Sequence, residues 1–333
     1  MKLLRLFIYF QTIDKPWGGG NQFLRAFKNF ISESKKGEVD LVSNIDGEYD
    51  ICLMNSWNRG PELYLDLKAI TNLKKFGYSK FRKSIFRKHP RKKIVHRLDG
   101  LRAVYINQFH DGDRLQLDAM ALADHIIFQS QHCLESFQKY GYDKNNYSII
   151  YNGANQNIFN STNKAFWDGS SDLKVISCSW SQNPLKGFSE IARFSEIEGI
   201  KSYFVGRWPK DIDPKKVNLL PPLPQKELSF YYKNCDVFLH AAKNDPCPNV
   251  AFEALSSGLP MLFHNSGGTP EIASQYGLPL PEKLTSGNIR DLADQMKINY
   301  TKFVKNIERN MNHFSIERAA LEYIHTFGEI LEE

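Results

Sequence analysis

Apolar runs of strand length alternate with amphipathic stretches of helix length along nearly all 333 residues, and few architectures accept that alternation. In the first half the runs are LLRLFIYF (3–10), VDLVS (39–43), YDICLMN (49–55), KKIVHRL (92–98), HIIFQS (125–130) and YSIIYN (147–152). Helical patterns lie near 20–34, 61–75, 113–122 and 131–140. The second half repeats the grammar with strands at 173–180, 201–207, 217–221, 236–242 and 259–264, and helices near 187–198, 226–234, 249–257 and 286–308. Strands apolar on both faces and separated by helices require a parallel sheet covered on both sides. The stretch 152–166 is rich in Asn and Ser, as linkers are. The expectation is an α/β chain of two doubly wound domains, 1–155 and 156–313. Residues 314–333 then form a helix with Ile316, Ala319, Ala320, Tyr323, Ile324, Phe327 and Ile330 on one face, which packs back toward the N-terminal domain.

Composition removes several classes. Hydrophobic residues at 42% and charged residues at 24% exclude a disordered chain. No apolar run approaches the roughly 18 residues of a membrane span. Arg5 interrupts the first apolar stretch, which reads as a buried strand and not as a signal peptide. The five cysteines form no CxxC pair, so a disulfide framework or zinc ribbon is not expected and a cytoplasmic location fits.

In doubly wound sheets ligands bind at the carboxyl ends of strands, so the chemistry is sought in those loops. After the strand ending at Ala242, Asp245 precedes a helix that starts near Asn249, and Glu253 lies one turn inside it. Two carboxylates so spaced can both meet a ligand rich in hydroxyls. Amides near Asn249 and Val250 can meet an anion. The competing reading has Asp245 capping the helix and Glu253 facing water. In SCSWSQNPLKGF (177–188), Lys186 stands at a helix start, where a cation neutralises a phosphate. Gly18, Gly19 and Gly20 follow the first strand and allow close backbone approach, although the G-x-G-x-x-G fingerprint is missing. His96, Arg97 and Asp99 stand together at a strand end. His110 and Asp111 begin or cap the next helix.

Asp245-x7-Glu253, followed by ALSSGLPM (254–261) and SGGTPEI (266–272), resembles the signature of GT-B retaining glycosyltransferases, glycosyltransferase family 4 in particular. That signature has Glu where this chain has Asp245. ADHIIFQS (123–130) and IIYNGAN (149–155) are similar to further family stretches. The resemblance implies two Rossmann-like domains facing across a cleft. The N-terminal one would serve the acceptor and the C-terminal one a nucleotide diphosphate sugar. It gives Asp245 the transferred sugar, Glu253 the ribose hydroxyls, and Lys186 the donor diphosphate, with Gly18–Gly20 approaching the phosphate from the other domain. The family's phosphate-site arginine is missing, with Trp180 or Ser181 in its place, and Arg207 at the end of the next strand is the candidate substitute. His96 and Asp99 become catalytic candidates, and Arg97 and His110 acceptor-side candidates. The family needs no metal or other cofactor.

The net charge of +6 is local. Residues 74–93 hold ten Lys/Arg and no Asp or Glu, interleaved with Phe76, Tyr78, Phe81, Ile85 and Phe86. A helix over 79–89 would suit an anionic membrane surface. An acidic acceptor, or simple solvation of the charges, fits the same pattern. No recognised motif supports nucleic acid. The expectation is a retaining transferase moving a sugar from a nucleotide sugar to a glycan, lipid-linked or other hydroxyl acceptor. A GT-B epimerase and a catalytically silent nucleotide- or glycan-binding protein are the rivals.

Overall fold

The computed structural model describes residues 3–15, 18–60, 62–76 and 92–332. The helix expected over 79–89, with most of the basic stretch, lies outside the described residues. Two compact units appear: Met1–Ile13, Leu24–Tyr151 and Ala319–Glu333 make the first, Asp14–Phe23 and Asn152–Arg318 the second.

In the first unit the elements are β1 (Leu4–Ile8), α1 (Gly19–Ser34, whose first residues cluster with the second unit), β2 (Val39–Val42), β3 (Ile51–Asn55), β4 (Asn58–Gly60), β5 (Leu63–Tyr64), α2 (Leu67–Phe76), β6 (Lys93–Leu98), α3 (Arg102–Tyr105), α4 (Asp111–Leu122), β7 (His125–Phe128), α5 (Gln131–Gln138) and β8 (Tyr147–Ile149). The main strands run in the order β2-β1-β3-β6-β7-β8 and pair in parallel, β3 with β6 through Ile51↔Lys93 to Asn55↔Arg97. Phe7, Cys52, Ile94 and Phe128 are buried in the core on this sheet. The helical pattern expected from residue 61 starts later. The antiparallel strands β4 and β5 come first, and the Asp66 carboxylate accepts the Ala69 N–H at 3.0 Å to open α2.

The second unit contains β9 (Leu173–Ser179), α6 (Phe188–Phe194), β10 (Ile200–Gly206), β11 (Asn218–Leu220), α7 (Gln225–Asn234), β12 (Val237–His240), α8 (Asn249–Ser256), β13 (Met261–His264), α9 (Thr269–Ala273), β14 (Gly277–Leu280), α10 (Ser286–Arg309) and α11 (Ile316–Glu332, which ends in the first unit). Its strands order β11-β10-β9-β12-β13-β14, all parallel, the doubly wound order. Val175, Phe204, Val237 and Leu262 carry the core, against which Phe188, Leu292 and Met296 of the helices pack. β14 went unread in the sequence because Pro279 sits within it. It is the terminal strand of the order, where a missing N–H is tolerated. All five cysteines are free.

Candidate active site

In the second unit, chain order reverses between β9 and β12, so the loops leaving these strands border the crevice where ligands of such sheets bind. Those loops carry Lys186 and Asp245. After β9 a short 3₁₀ turn, Pro184–Lys186, is capped by Asn183, whose Oδ1 accepts the Leu185 N–H at 2.9 Å. Gly187 has φ 75°, and a Cβ there would lie 2.4 Å from the Ala241 carbonyl oxygen. Only glycine permits that packing. The Lys243 N–H donates to the Leu185 carbonyl at 2.8 Å, fixing one loop to the other.

The loop after β12 is held from its other side by the glycine pair of SGGTPE. The Gly268 N–H donates to the Asp245 carbonyl at 2.9 Å, and Ser266 Oγ accepts the Asn244 N–H at 2.9 Å. Gly267 has φ 68°, with room for no Cβ, since one would sit 2.4 Å from the Asp245 carbonyl oxygen. The spacing read in the sequence is therefore a set of backbone latches around one carboxylate.

Lys186 Nζ donates to Asp245 Oδ2 at 2.8 Å, with the side chains 21% and 14% exposed. At that burial a charge-assisted bond contributes about 1–3 kcal/mol. Burial pushes the Asp245 carboxyl up, but Lys186, His240 and the Cys247 N–H more than offset it and leave it below its usual range. Glu253 has the opposite fate. Burial pushes it up to about 8, and a hydrogen bond with the Gln225 side chain pulls back only in part. Only 8% exposed, Glu253 does not face water, and the capping alternative for the pair is not what the structure contains.

Trp180 and Arg207 combine. The Arg207 guanidinium lies 4.0 Å from the Trp180 ring centroid, stacked on the residue that follows β9. A cation is thereby brought to the position where the sequence motif lacks one. Asn249 opens α8, which no side chain caps. Its own side chain is occupied: Nδ2 donates to the Gly19 carbonyl at 2.7 Å, and Oδ1 accepts from Asn152 Nδ2 at 2.7 Å. The glycine turn, Gly18 at φ 60° with Gly19 and Gly20 opening α1, is thus brought beside the start of α8 within one unit.

The sequence-derived candidates of the first unit divide. His96 and Arg97 are wholly buried. His96 Nε2 lies 2.7 Å from the Ser56 carbonyl, which can only accept, so Nε2 carries the proton. Burial pulls this imidazole down to about 4 against the raising effect of that bond, so it is neutral. Arg97 Nη1 donates to Asn55 Oδ1 at 2.5 Å. In this structure neither side chain is open to a substrate; both hold the turn after β3. Asp99 is half-buried after β6. His110 caps α4, its Nδ1 accepting the Gly112 N–H at 3.0 Å while Asp113 accepts the His110 N–H.

His240, last residue of β12, was not singled out from sequence. It is 5% exposed, its Nε2 has no hydrogen-bond partner among the described residues, and burial pulls it down to about 4, partly offset by Asp245. Its only signal was a polar residue ending an apolar strand at the sheet's binding edge. Gln225, which bonds Glu253, gave none because its partner is set by packing.

Residues 213–306 match the family model for glycosyl transferases group 1. No curated protein sequence matches the chain. Among solved structures, Anabaena HepE in complex with UDP and glucose is similar at TM-score 0.66 and 15% identity, over 97% of this chain and 99% of that one. Sucrose-phosphate synthase from Thermosynechococcus elongatus gives 0.66 and 14%, over 99% of each chain. A glycosyltransferase from Rickettsia africae gives 0.67 and 12%, over 100% of each. At such identities the likeness is one of fold. With a group 1 domain over residues 213–306 on a GT-B fold, this protein is a glycosyltransferase enzyme.

Proposed function

We propose that the enzyme moves a sugar from a nucleoside diphosphate sugar to a hydroxyl of a glycan or lipid-linked acceptor, with retention of anomeric configuration and without a metal ion. The Lys186–Asp245 pair, 2.8 Å apart at the crevice of the second unit, carries this reading. Donor binding exchanges partners: Lys186 passes to the diphosphate, and Asp245 to hydroxyls of the transferred sugar. Arg207 on Trp180 supplies a second cation, and the amides of Asn249 and Val250 with the Gly18–Gly20 turn receive phosphate oxygens. Glu253 takes the ribose hydroxyls. As the sugar–phosphate bond breaks, charge grows on the leaving diphosphate, and fixed cations and amides there lower the barrier. The leaving phosphate itself takes the acceptor's proton on the same face, which preserves configuration. The fold of Anabaena HepE, which holds UDP-glucose, supports a donor of this kind.

The experiment is thermal unfolding against UDP, GDP, ADP and their sugar conjugates, with and without EDTA. A rise in midpoint with one nucleotide family, unchanged by EDTA and lost in Glu253→Ala, is expected. No rise with any of them would overturn the donor assignment. Retention is read from the anomeric proton of the product by NMR.

A further inference from the structure

Three aromatic side chains of the first unit stand exposed among the described residues: Tyr64 at 58%, Phe109 at 45% and Tyr140 at 41%. They fall into two groups joined through the consecutive residues Phe109 and His110. The Tyr64 ring lies 5.3 Å from Trp57, Trp57 lies 6.4 Å from His110, and Phe109, next in the chain, stacks on Tyr140 at 5.9 Å and 29°. The Arg114 guanidinium flanks Phe109 at 6.0 Å. Exposed rings gathered in one place, and not scattered, mark a binding surface.

The turns that carry these rings contain three non-glycine residues at positive φ. Ser56, Glu62 and Asn107 have φ of 49°, 58° and 54°, half of the six non-glycine residues described with positive φ. Such strain persists where the surroundings enforce it. Here a buried polar frame does so. The Ser56 N–H donates to the Arg97 carbonyl at 2.8 Å, His96 donates to the Ser56 carbonyl, and Ser56 Oγ bonds Gln116 at 3.3 Å. Buried Asp113 accepts the N–H groups of Arg102, Ala103 and His110 at 2.6, 3.1 and 2.9 Å. The rings also begin where the sheet favours ligands: Trp57 follows β3, which with β1 flanks the reversal of strand order in this unit.

The ligand class follows from the surface. Rings flanked by the polar groups of His110 and Arg114 suit a molecule with flat C–H faces and a rim of hydroxyls. A pyranose is such a molecule. Its polarised C–H bonds meet the negative face of a ring, while its hydroxyls reach the polar flanks. Several rings fit a chain of several sugars. We propose that Trp57, Tyr64, Phe109 and Tyr140 form a platform that seats the sugar residues of a glycan acceptor. This rests on the reading of the acceptor as a glycan.

The test titrates the full chain with hexasaccharides of glucose, N-acetylglucosamine, mannose and galactose, and with their trisaccharides, by calorimetry. At least one hexasaccharide binds, more tightly than its trisaccharide. Tyr64→Ala, Phe109→Ala and Tyr140→Ala each weaken it about five- to tenfold, given the usual worth of one aromatic contact. Unchanged melting temperatures establish that these exposed variants fold. No hexasaccharide binding, or equal binding by the variants, overturns the platform. Loss in the variants of sedimentation with phosphatidylglycerol vesicles, without loss of saccharide binding, assigns the rings to a membrane and overturns it as well. Nucleotide-induced stabilisation measured in the same preparations reports the donor site separately, so either reading can fail while the other stands.

Discussion

Lys186 and Glu253 carry opposite electrostatic burdens, and substitutions at them separate. Lys186→Ala removes the partner of Asp245 and the proposed phosphate cation, so kcat/KM should fall by about 10²–10³, the range for losing a donor aimed at developing charge. Lys186→Arg should recover part of it, read by initial rates over donor concentration. For Glu253 the sign comes from linkage. Burial keeps its carboxyl protonated to about pH 8, whereas the unfolded chain releases that proton near its ordinary 4.5. The folded state holds the extra proton between those values, so stability falls as pH rises through that window. Glu253→Gln cannot ionise and should raise the melting temperature more at pH 9 than at pH 5, by scanning calorimetry. Gly187→Ala places a methyl group on the Ala241 carbonyl at a left-handed φ and should cost more than about 1 kcal/mol in urea unfolding. Lys186, Asp245 and Glu253 were legible because short motifs frame them. The neutral His240, whose Nε2 has no hydrogen-bond partner among the described residues, was not, because its state depends on walls that spacing does not reveal. Nor was the burial of His96 and Arg97, which the strand pattern left open.

Elements with clean periodicity were legible to within a few residues, as with α10, read at 286–308 and found at Ser286–Arg309. Those that break the pattern were missed: β14 with its proline, the two- and three-residue strands β5 and β4, and the short helices α3 and α9. Each lacks the length over which a period can be counted. One helix end depends on a residue remote in sequence. The Lys164 ammonium donates to the carbonyls of Tyr232, Lys233 and Cys235, closing the C-terminus of α7 from the 152–166 stretch. A cation is favoured there by the helix dipole, and buried carbonyls without it go unmet. Lys164→Met should therefore destabilise by about 2–3 kcal/mol, measured by urea unfolding. Because α7 also bears Gln225, nucleotide-induced stabilisation should shrink in the same variant.

For the whole molecule the alternation of strands and helices foretold the α/β class and its two parallel sheets. The basic stretch 74–93 offers a further measurement. Sedimentation with phosphatidylglycerol vesicles is expected, weakening from 50 to 300 mM salt, and should drop when Arg82, Lys83, Arg87 and Lys88 are exchanged for Gln. Neutral phosphatidylcholine vesicles should retain nothing.

The contact between Lys186 and Asp245 carries a consequence for turnover. In the empty enzyme each charge serves as the other's placeholder. At the proposed donor site an intact donor would replace both at once, phosphate for the carboxylate and sugar hydroxyls for the ammonium. On the same proposal a spent nucleoside diphosphate would replace only one, leaving Asp245 without its counterpart. The old pairing would then compete with the product for Lys186, and the resting enzyme would act as its own displacing agent. Asp245→Asn removes that competitor, and the released nucleotide should linger while the intact donor binds less well.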